Sequence, residues 1–253
     1  MFTKEEARTM VGILGNAIAL FLFLSPTPTF ITIWKKKSVE QFSPIPYLAT
    51  FVNCMVWVLY GLPVVKPNST LVVTINGAGV IIEIVFLSLF LLYSSGKTRR
   101  KVTLIAIGEI IFIAALAVLV LTLAHTHKSR TLVVGIVAMV FNVAMYAAPL
   151  SVMKMVITTK SVEYMPFTLS LASFANGTCW LCYALFDFDP FIAVPNGLGT
   201  LFAAAQLILY ATFYKSTQRI IAARKVKEQQ GVDLTDIAVN GGSNKVNGHG
   251  QHH

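Results

Sequence analysis

Acidic side chains are scarce in this chain. There are 11 Asp and Glu among 253 residues, against 20 Lys and Arg, and charges of both signs make up only 12% of the sequence. An ordinary soluble domain carries about 25% charged residues, so this sequence lacks the polar surface that water requires. Chemistry-bearing clusters are missing too. No phosphate-cradling glycine loop, nucleophile–base arrangement or metal-ligand set is present, so the sequence indicates neither an enzyme nor a cofactor. Cysteine is limited to Cys54, Cys179 and Cys182, all inside apolar runs. Cys179 and Cys182 form a C-x-x-C that would suggest redox or metal work in a soluble chain. On an apolar helix they read as small packing residues. His125 and His127 fall in a loop, and His249, His252 and His253 in a polar tail, without partners at ligand spacing.

What fills the chain instead is apolar sequence, 55% of it. Runs of about 20 such residues span a bilayer as helices. Seven occur, roughly 10–33, 44–62, 70–93, 102–124, 131–153, 164–185 and 190–214. The second and sixth are the least apolar, since they carry Asn, Ser and Trp. The first run is too long for a signal-peptide core and lacks a small-residue cleavage site, so it is expected to remain in the mature protein.

The basic residues are unevenly placed. The links after the first, third and fifth runs, together with the tail, hold 15 of the 20 Lys and Arg, among them Lys35, Lys36, Lys37, Arg99, Arg100 and Lys160. Positive charge is retained in the cytosol, which puts the amino terminus outside and the carboxyl terminus inside. The formal net charge of +9 follows from that rule and calls for no nucleic-acid partner. No basic stripe with interleaved aromatics exists. Residues 215–253 are rich in Gly, Asn, Gln and Lys, a composition expected to stay disordered in the cytosol, with Arg219 to Lys227 available to anionic lipid.

The sequence also repeats itself. Residues 11–62 return as 134–185 at an offset of 123. Val11-Gly12-Ile13 matches Val134-Gly135-Ile136, Lys37-Ser38-Val39-Glu40 matches Lys160-Ser161-Val162-Glu163, and Trp57 and Tyr60 match Trp180 and Tyr183. Asn76-Gly77-Ala78-Gly79 returns as Asn196-Gly197-Leu198-Gly199, now offset by 120. The chain therefore divides into a first three-helix repeat (10–93), a linker helix (102–124), a second repeat (131–214) and the tail (215–253). The odd linker helix restores direction, so the repeats run parallel about an axis along the membrane normal. The fold class is an all-α membrane protein of seven transmembrane helices in a 3+1+3 arrangement. Duplicated units of this kind build transporters, with the substrate site between the copies.

Polar groups within the apolar runs are the candidate site, because a polar side chain in a bilayer needs a partner. Asn76 and Asn196 are equivalent, and a carboxamide both donates and accepts, as a sugar hydroxyl does. Each is followed by Gly-x-Gly, which would keep the wall thin. Trp57 and Trp180 are equivalent, and an indole face packs on the C–H face of a pyranose. Trp34, beside Lys35, reads as an interfacial anchor. Asn53 and Asn176 lie one turn before the paired tryptophans, on the same face. Pro26, Pro46, Pro149 and Pro166 would each remove a helical hydrogen bond and allow a bend. Asp189, just before Pro190, reads as a helix N-cap. Glu83 and Glu109 are the intramembrane carboxylates. Glu109 is expected to snorkel to the cytosolic end of its helix. Glu83 has Ala203 as its counterpart and no evident relay partner.

The two repeats, the Pro-Thr-Pro-Thr-Phe segment at 26–30, the paired Lys-Ser-Val-Glu loops, Tyr164-Met165-Pro166-Phe167 and the two Asn-Gly-x-Gly motifs resemble the plant SWEET sugar transporters over residues 8–215. The resemblance implies that Asn76 and Asn196 bind substrate. It implies that Trp57, Trp180, Asn53, Asn176 and Met145 line the pocket, that Pro26, Pro46, Pro149 and Pro166 are a hinge tetrad, and that Tyr60 and Asp189, with Lys66, form the external gate. Small residues accompany sucrose preference in that family, so two Asn at 53 and 176 imply a hexose such as glucose or fructose. A bidirectional uniporter in the plasma membrane is the expectation, with the vacuolar membrane as the alternative location and self-association into a homo-oligomer. A sucrose-preferring carrier and an exporter of amino acids or other small solutes on the same repeat plan remain alternatives.

Overall fold

The computed structural model describes residues 3–243. Nine helices occur among them, and no strand. Two of the expected spans are broken, so the helices are α1 (Lys4–Leu24), α2 (Thr27–Lys36), α3 (Ile45–Gly61), α4 (Thr70–Tyr93), α5 (Gly96–Leu123), α6 (His127–Ala144), α7 (Ala147–Thr159), α8 (Phe167–Phe186) and α9 (Pro190–Ser243). Counting α1/α2 and α6/α7 as one span each gives seven spans. Six are long and apolar enough to cross a membrane, and α3, at 17 residues, is a shorter apolar helix. At 1.5 Å per residue it covers about 26 Å, near the lower limit for spanning.

Local chemistry explains where the helices start and stop. Thr3 caps α1 through a capping box with Glu6. The α1/α2 break falls at Ser25-Pro26. Pro28 has no N–H for the Leu24 carbonyl, and the Thr27 hydroxyl donates to that oxygen instead, at 2.6 Å. A second proline thus removes a bond that the neighbouring threonine replaces. In the second repeat the break comes at Met145-Tyr146, one turn ahead of Pro149. Both broken spans end the same way, on a left-handed lysine: Lys37 at φ 54° and Lys160 at φ 55°. The repeat extends to this backbone turn.

Two of the four expected hinge prolines are placed differently from the sequence reading. Pro46 lies in the first turn of α3 and Pro166 is the N-cap of α8. An N–H is already unpaired at these positions, so neither proline breaks a helix. Any bending they permit is at the junction of loop and helix.

The repeats pack through each other. α1 packs against α4 of its own repeat and α8 of the other, and α6 correspondingly packs against α9 and α3. The linker α5 rests on α3, α4 and α6. Most of its apolar side chains are exposed, including Leu104, Ile107, Ile111 and Val118, as a lipid-facing helix requires. Glu109 differs from expectation. It is half-buried near the middle of α5, and its Oε2 is enclosed without a hydrogen-bond partner rather than reaching the helix end.

The expected disordered tail is also corrected in part. α9 continues past 214 to Ser243. Thr217 is buried, its Oγ accepting from the Val162 N–H at 2.8 Å, and the Arg224 guanidinium bonds both Glu163 oxygens at 3.0 and 3.1 Å. The extension is held because it satisfies the turn after α7. Residues 244–253, with His249, His252 and His253, lie outside the described residues.

Candidate functional site

The ends of the bundle are named here by the chain: the N-side carries the amino terminus and the α3–α4 and α8–α9 loops, the C-side the α2–α3 and α7–α8 loops. Between the repeats lies a cavity of about 520 Å³. Asn53, Trp57, Asn76, Met145, Asn176, Trp180 and Asn196 all line it, together with Pro149 and Pro166. Pro26 and Pro46 do not. No Asp, Glu, Lys, Arg or His belongs to the lining.

The asparagines come as two matched pairs with distinct bonding. Asn76 Nδ2 donates to the Val72 carbonyl at 2.9 Å, and Asn196 Nδ2 donates to the Ile192 carbonyl at 2.8 Å. Each amide is therefore oriented by its own helix, one turn back, and presents its Oδ1 outward. Asn53 and Asn176 each leave a buried Oδ1 with no hydrogen-bond partner. A buried acceptor without a donor costs about 1–3 kcal/mol, and this symmetric pair is enclosed in the protein beside the cavity that the two residues line.

The tryptophans are held edge to face by the tyrosine one turn on, Trp57 by Tyr60 at 5.3 Å and Trp180 by Tyr183 at 5.2 Å. Gly15 makes room for the second: a Cβ there would sit 3.2 Å from the Trp180 Nε1. The Asn-Gly-x-Gly motifs work differently from the thin wall expected. Nothing lies within 4 Å of a Cβ at Gly77, whereas a Cβ at Gly199 would meet the Tyr146 hydroxyl at 2.6 Å, and one at Gly79 would meet Cys54 Sγ and the Phe23 ring. The second glycine of each motif accommodates an aromatic side chain from the broken span.

That aromatic is Phe23 in one repeat and Tyr146 in the other, and both line the cavity. The Tyr146 hydroxyl donates to the Pro195 carbonyl. Sequence reading missed Tyr146, though its position as the counterpart of Phe23, beside the break, marks it. Asn142, Ser170, Ser173 and Gln206 also line the cavity and were missed: Asn142, Ser170 and Gln206 have Ala19, Tyr47 and Phe86 as counterparts, and only Ser173 has a hydroxyl counterpart, Thr50, which lines the cavity too.

At the N-side three polar side chains meet across the repeats. The Tyr60 hydroxyl donates to Asp189 Oδ2 at 2.7 Å, and Lys66 Nζ stands 3.6 Å from the same oxygen. Asp189 Oδ1 accepts from the Phe191 N–H at 3.0 Å, so this carboxylate caps α9 while its other oxygen holds Tyr60 and Lys66. Lys66 and Asp189 are themselves 123 residues apart: the repeat places opposite charges at equivalent positions, and they meet. At the C-side the lining continues to Tyr164, which is 67% exposed. Trp34 is exposed beside Lys37, outside the cavity. Cys54, Cys179 and Cys182 are free thiols, and no group of metal-ligating residues occurs among the described residues.

A duplicated bundle around one neutral, amide-rich cavity can be set against known proteins. The profile described as a sugar efflux transporter for intercellular exchange matches residues 9–98 and 132–218, the two repeats without the linker. The chain belongs to the SWEET family. The chain is 60% identical to the bidirectional sugar transporter SWEET4 of Oryza sativa over 96% of its length and 94% of the relative's. Identity to SWEET7 of Arabidopsis thaliana is 62%, over 94% and 93%. The solved structure of a eukaryotic SWEET transporter superimposes with a TM-score of 0.82 at 38% identity, covering 84% of this chain and 99% of that one. This SWEET protein is accordingly a multi-pass membrane sugar transporter and not an enzyme.

Proposed function

We propose that the chain is a bidirectional, facilitative hexose uniporter working by alternating access around the cavity between the repeats. The observation that carries this reading is the pairing of Asn76 with Asn196 across a cavity whose lining bears no charged side chain. Asn76 and Asn196 grip hydroxyls at the level where Trp57 and Trp180 cover the ring faces. Asn53, Asn176 and Met145 set the width, favouring one ring over two. Pro26, Pro46, Pro149 and Pro166 supply bending points, and Tyr60, Lys66 and Asp189 close the outer end. With the N-side outside, the arrangement described is open inward. The relatives are named bidirectional sugar transporters, and this chain takes the same role, in the plasma membrane and as a homo-oligomer.

The test is uptake of labelled glucose, fructose, sucrose and an amino acid into vesicles holding the purified protein. Glucose or fructose is expected to equilibrate fast and sucrose slowly. Amino-acid uptake without sugar uptake overturns the reading. A tagged copy distinguishes plasma from vacuolar membrane.

A further inference from the structure

The two repeats part company on the C-side of the asparagine pairs. In the first repeat, Phe30 and Phe86 stack at 4.2 Å with 3° between their planes, and Tyr47 meets Phe30 edge-on at 4.7 Å. Phe30 and Phe86 belong to a buried apolar cluster of the first repeat, with Tyr47 packed against it. The equivalent positions of the second repeat are Met153, Gln206 and Ser170, in which two of three rings have become small or polar. Space that aromatics occupy on one side is open on the other, and the cavity extends into it: Ser170, Ser173 and Gln206 belong to its lining, and so does Tyr164 at the mouth.

This extension is a built polar wall. Ser170 is only 3% exposed, and its hydroxyl donates to Gln206 Oε1 at 3.2 Å. That bond fixes the Gln206 amide and leaves its Nε2 donors with no partner among the described residues. Ser170 precedes Asn176 by about 9 Å along α8, and Gln206 follows Asn196 by about 15 Å along α9. One pyranose ring held at Asn76 and Asn196 does not reach that far. A polar group inside a membrane bundle without a partner is costly, and here fixed donors face a water-reachable space beside the mouth.

We infer that Ser170, Ser173 and Gln206 form a second sugar site, built on the second repeat's Ser170–Gln206 pair, which holds a hexose between the central asparagines and the C-side mouth. It rests on the reading of the chain as a sugar carrier. The Gln206 amide donates to ring or hydroxyl oxygens, and Ser173 with the Tyr164 phenol offers further exchangeable bonds. The first repeat has Tyr47 and Phe86 in place of Ser170 and Gln206, and only Thr50, the counterpart of Ser173, keeps a hydroxyl in the lining, so the Ser170–Gln206 pair has no twin. It belongs to the state open at the C-side, so a sugar leaving or approaching by that side is captured in two steps and one using the N-side in one.

The test uses a reporter cysteine at Val152, which lines the cavity on α7. The V152C protein, in membranes, is labelled with a small charged thiol reagent with and without glucose. Site occupancy slows labelling by a factor of about 1 + [glucose]/Kd. With Asn196→Ala added, which removes the central grip, protection by glucose is expected to persist. With Ser170→Ala or Gln206→Leu added instead, it is expected to fall by half or more while labelling without sugar stays unchanged, the control that the bundle still folds. Loss of protection in the N196A background, or its retention in both S170A and Q206L, overturns the second site. Failure of the central reading looks different: the N196A protein without the reporter would then carry glucose at the normal rate.

Discussion

At the scale of single residues, the site is a set of amides whose partners are already known, and that makes the effect of each change specific. Asn76 and Asn196 spend one donor each on their own helices. Replacing either with Ala is expected to abolish hexose transport without reducing the protein at the membrane. Each net hydrogen bond is worth about 0.5–1.5 kcal/mol, and losing two or three removes most of a weak affinity. Normal glucose transport by both variants refutes the site. Asn53 and Asn176 leave unpaired oxygens instead. The double change to Ser is expected to raise the sucrose-to-glucose uptake ratio, measured per unit of surface protein, because it removes an amide from both sides of the cavity. A ratio that does not rise shows that these two residues only support the helices. The paired asparagines and tryptophans could be read from the sequence because duplication marks them twice: a chance Asn has no partner 120 or 123 residues away. Tyr146, Ser170 and Gln206 could not, since the copies differ there and the repeat signal is silent.

At the scale of the element, the broken spans are where we propose bending, and the second glycine of each Asn-Gly-x-Gly motif is where an aromatic of each span packs. The Tyr146 hydroxyl would lie 2.6 Å from a Cβ on Gly199, while the ring carbon behind it would lie 3.3 Å away. Gly199→Ala is therefore expected to destabilise the protein by about 1–3 kcal/mol, the usual cost of overpacking. Tyr146→Phe, which removes the offending atom, should recover a large part of that loss. A double-mutant cycle on thermal unfolding in detergent measures the coupling. Additive effects would mean that the two side chains do not meet. The sequence located seven spans and marked four prolines as bends, but not which of the four interrupt a helix. A proline interrupts a helix only where the freed carbonyl and its surroundings leave no alternative, and that depends on packing. Pro26, Pro28 and Pro149 sit within broken spans, Pro46 and Pro166 at helix starts, and the one-letter code is the same in each case. The extension of α9 was hidden for a similar reason: composition reports burial available to the segment alone, whereas Thr217 and Arg224 find their partners on the turn after α7.

At the scale of the whole molecule, the question is whether anything couples sugar movement to an ion. A symporter needs a group that binds the ion in one state and releases it in the other, next to the substrate. The cavity lining has no ionisable acid or base of that kind. Glu83 is buried away from it, with one oxygen unpaired, and its counterpart Ala203 cannot share a proton. At the N-side Lys66 and Asp189 pair with each other, and Asp189 with Tyr60, which is where we propose the outer gate. Their attraction biases one state over the other without a transported ion. Removing the Tyr60 hydroxyl with Tyr60→Phe takes away a bond to a charged group, worth about 1.5–3 kcal/mol. The population is expected to shift toward the N-side-open state, read as faster labelling of a cysteine placed beneath the gate. Transport itself must then run downhill only. In vesicles, internal glucose is expected to stop at the external concentration, with protonophore or sodium removal having no effect, and kcat/KM is expected to be equal for entry and exit because no gradient but that of the sugar contributes. Glu83→Gln should leave this equality intact. Accumulation above the external concentration, collapsed by a protonophore and lost in the E83Q protein, would instead assign Glu83 as a proton carrier and overturn the uniporter.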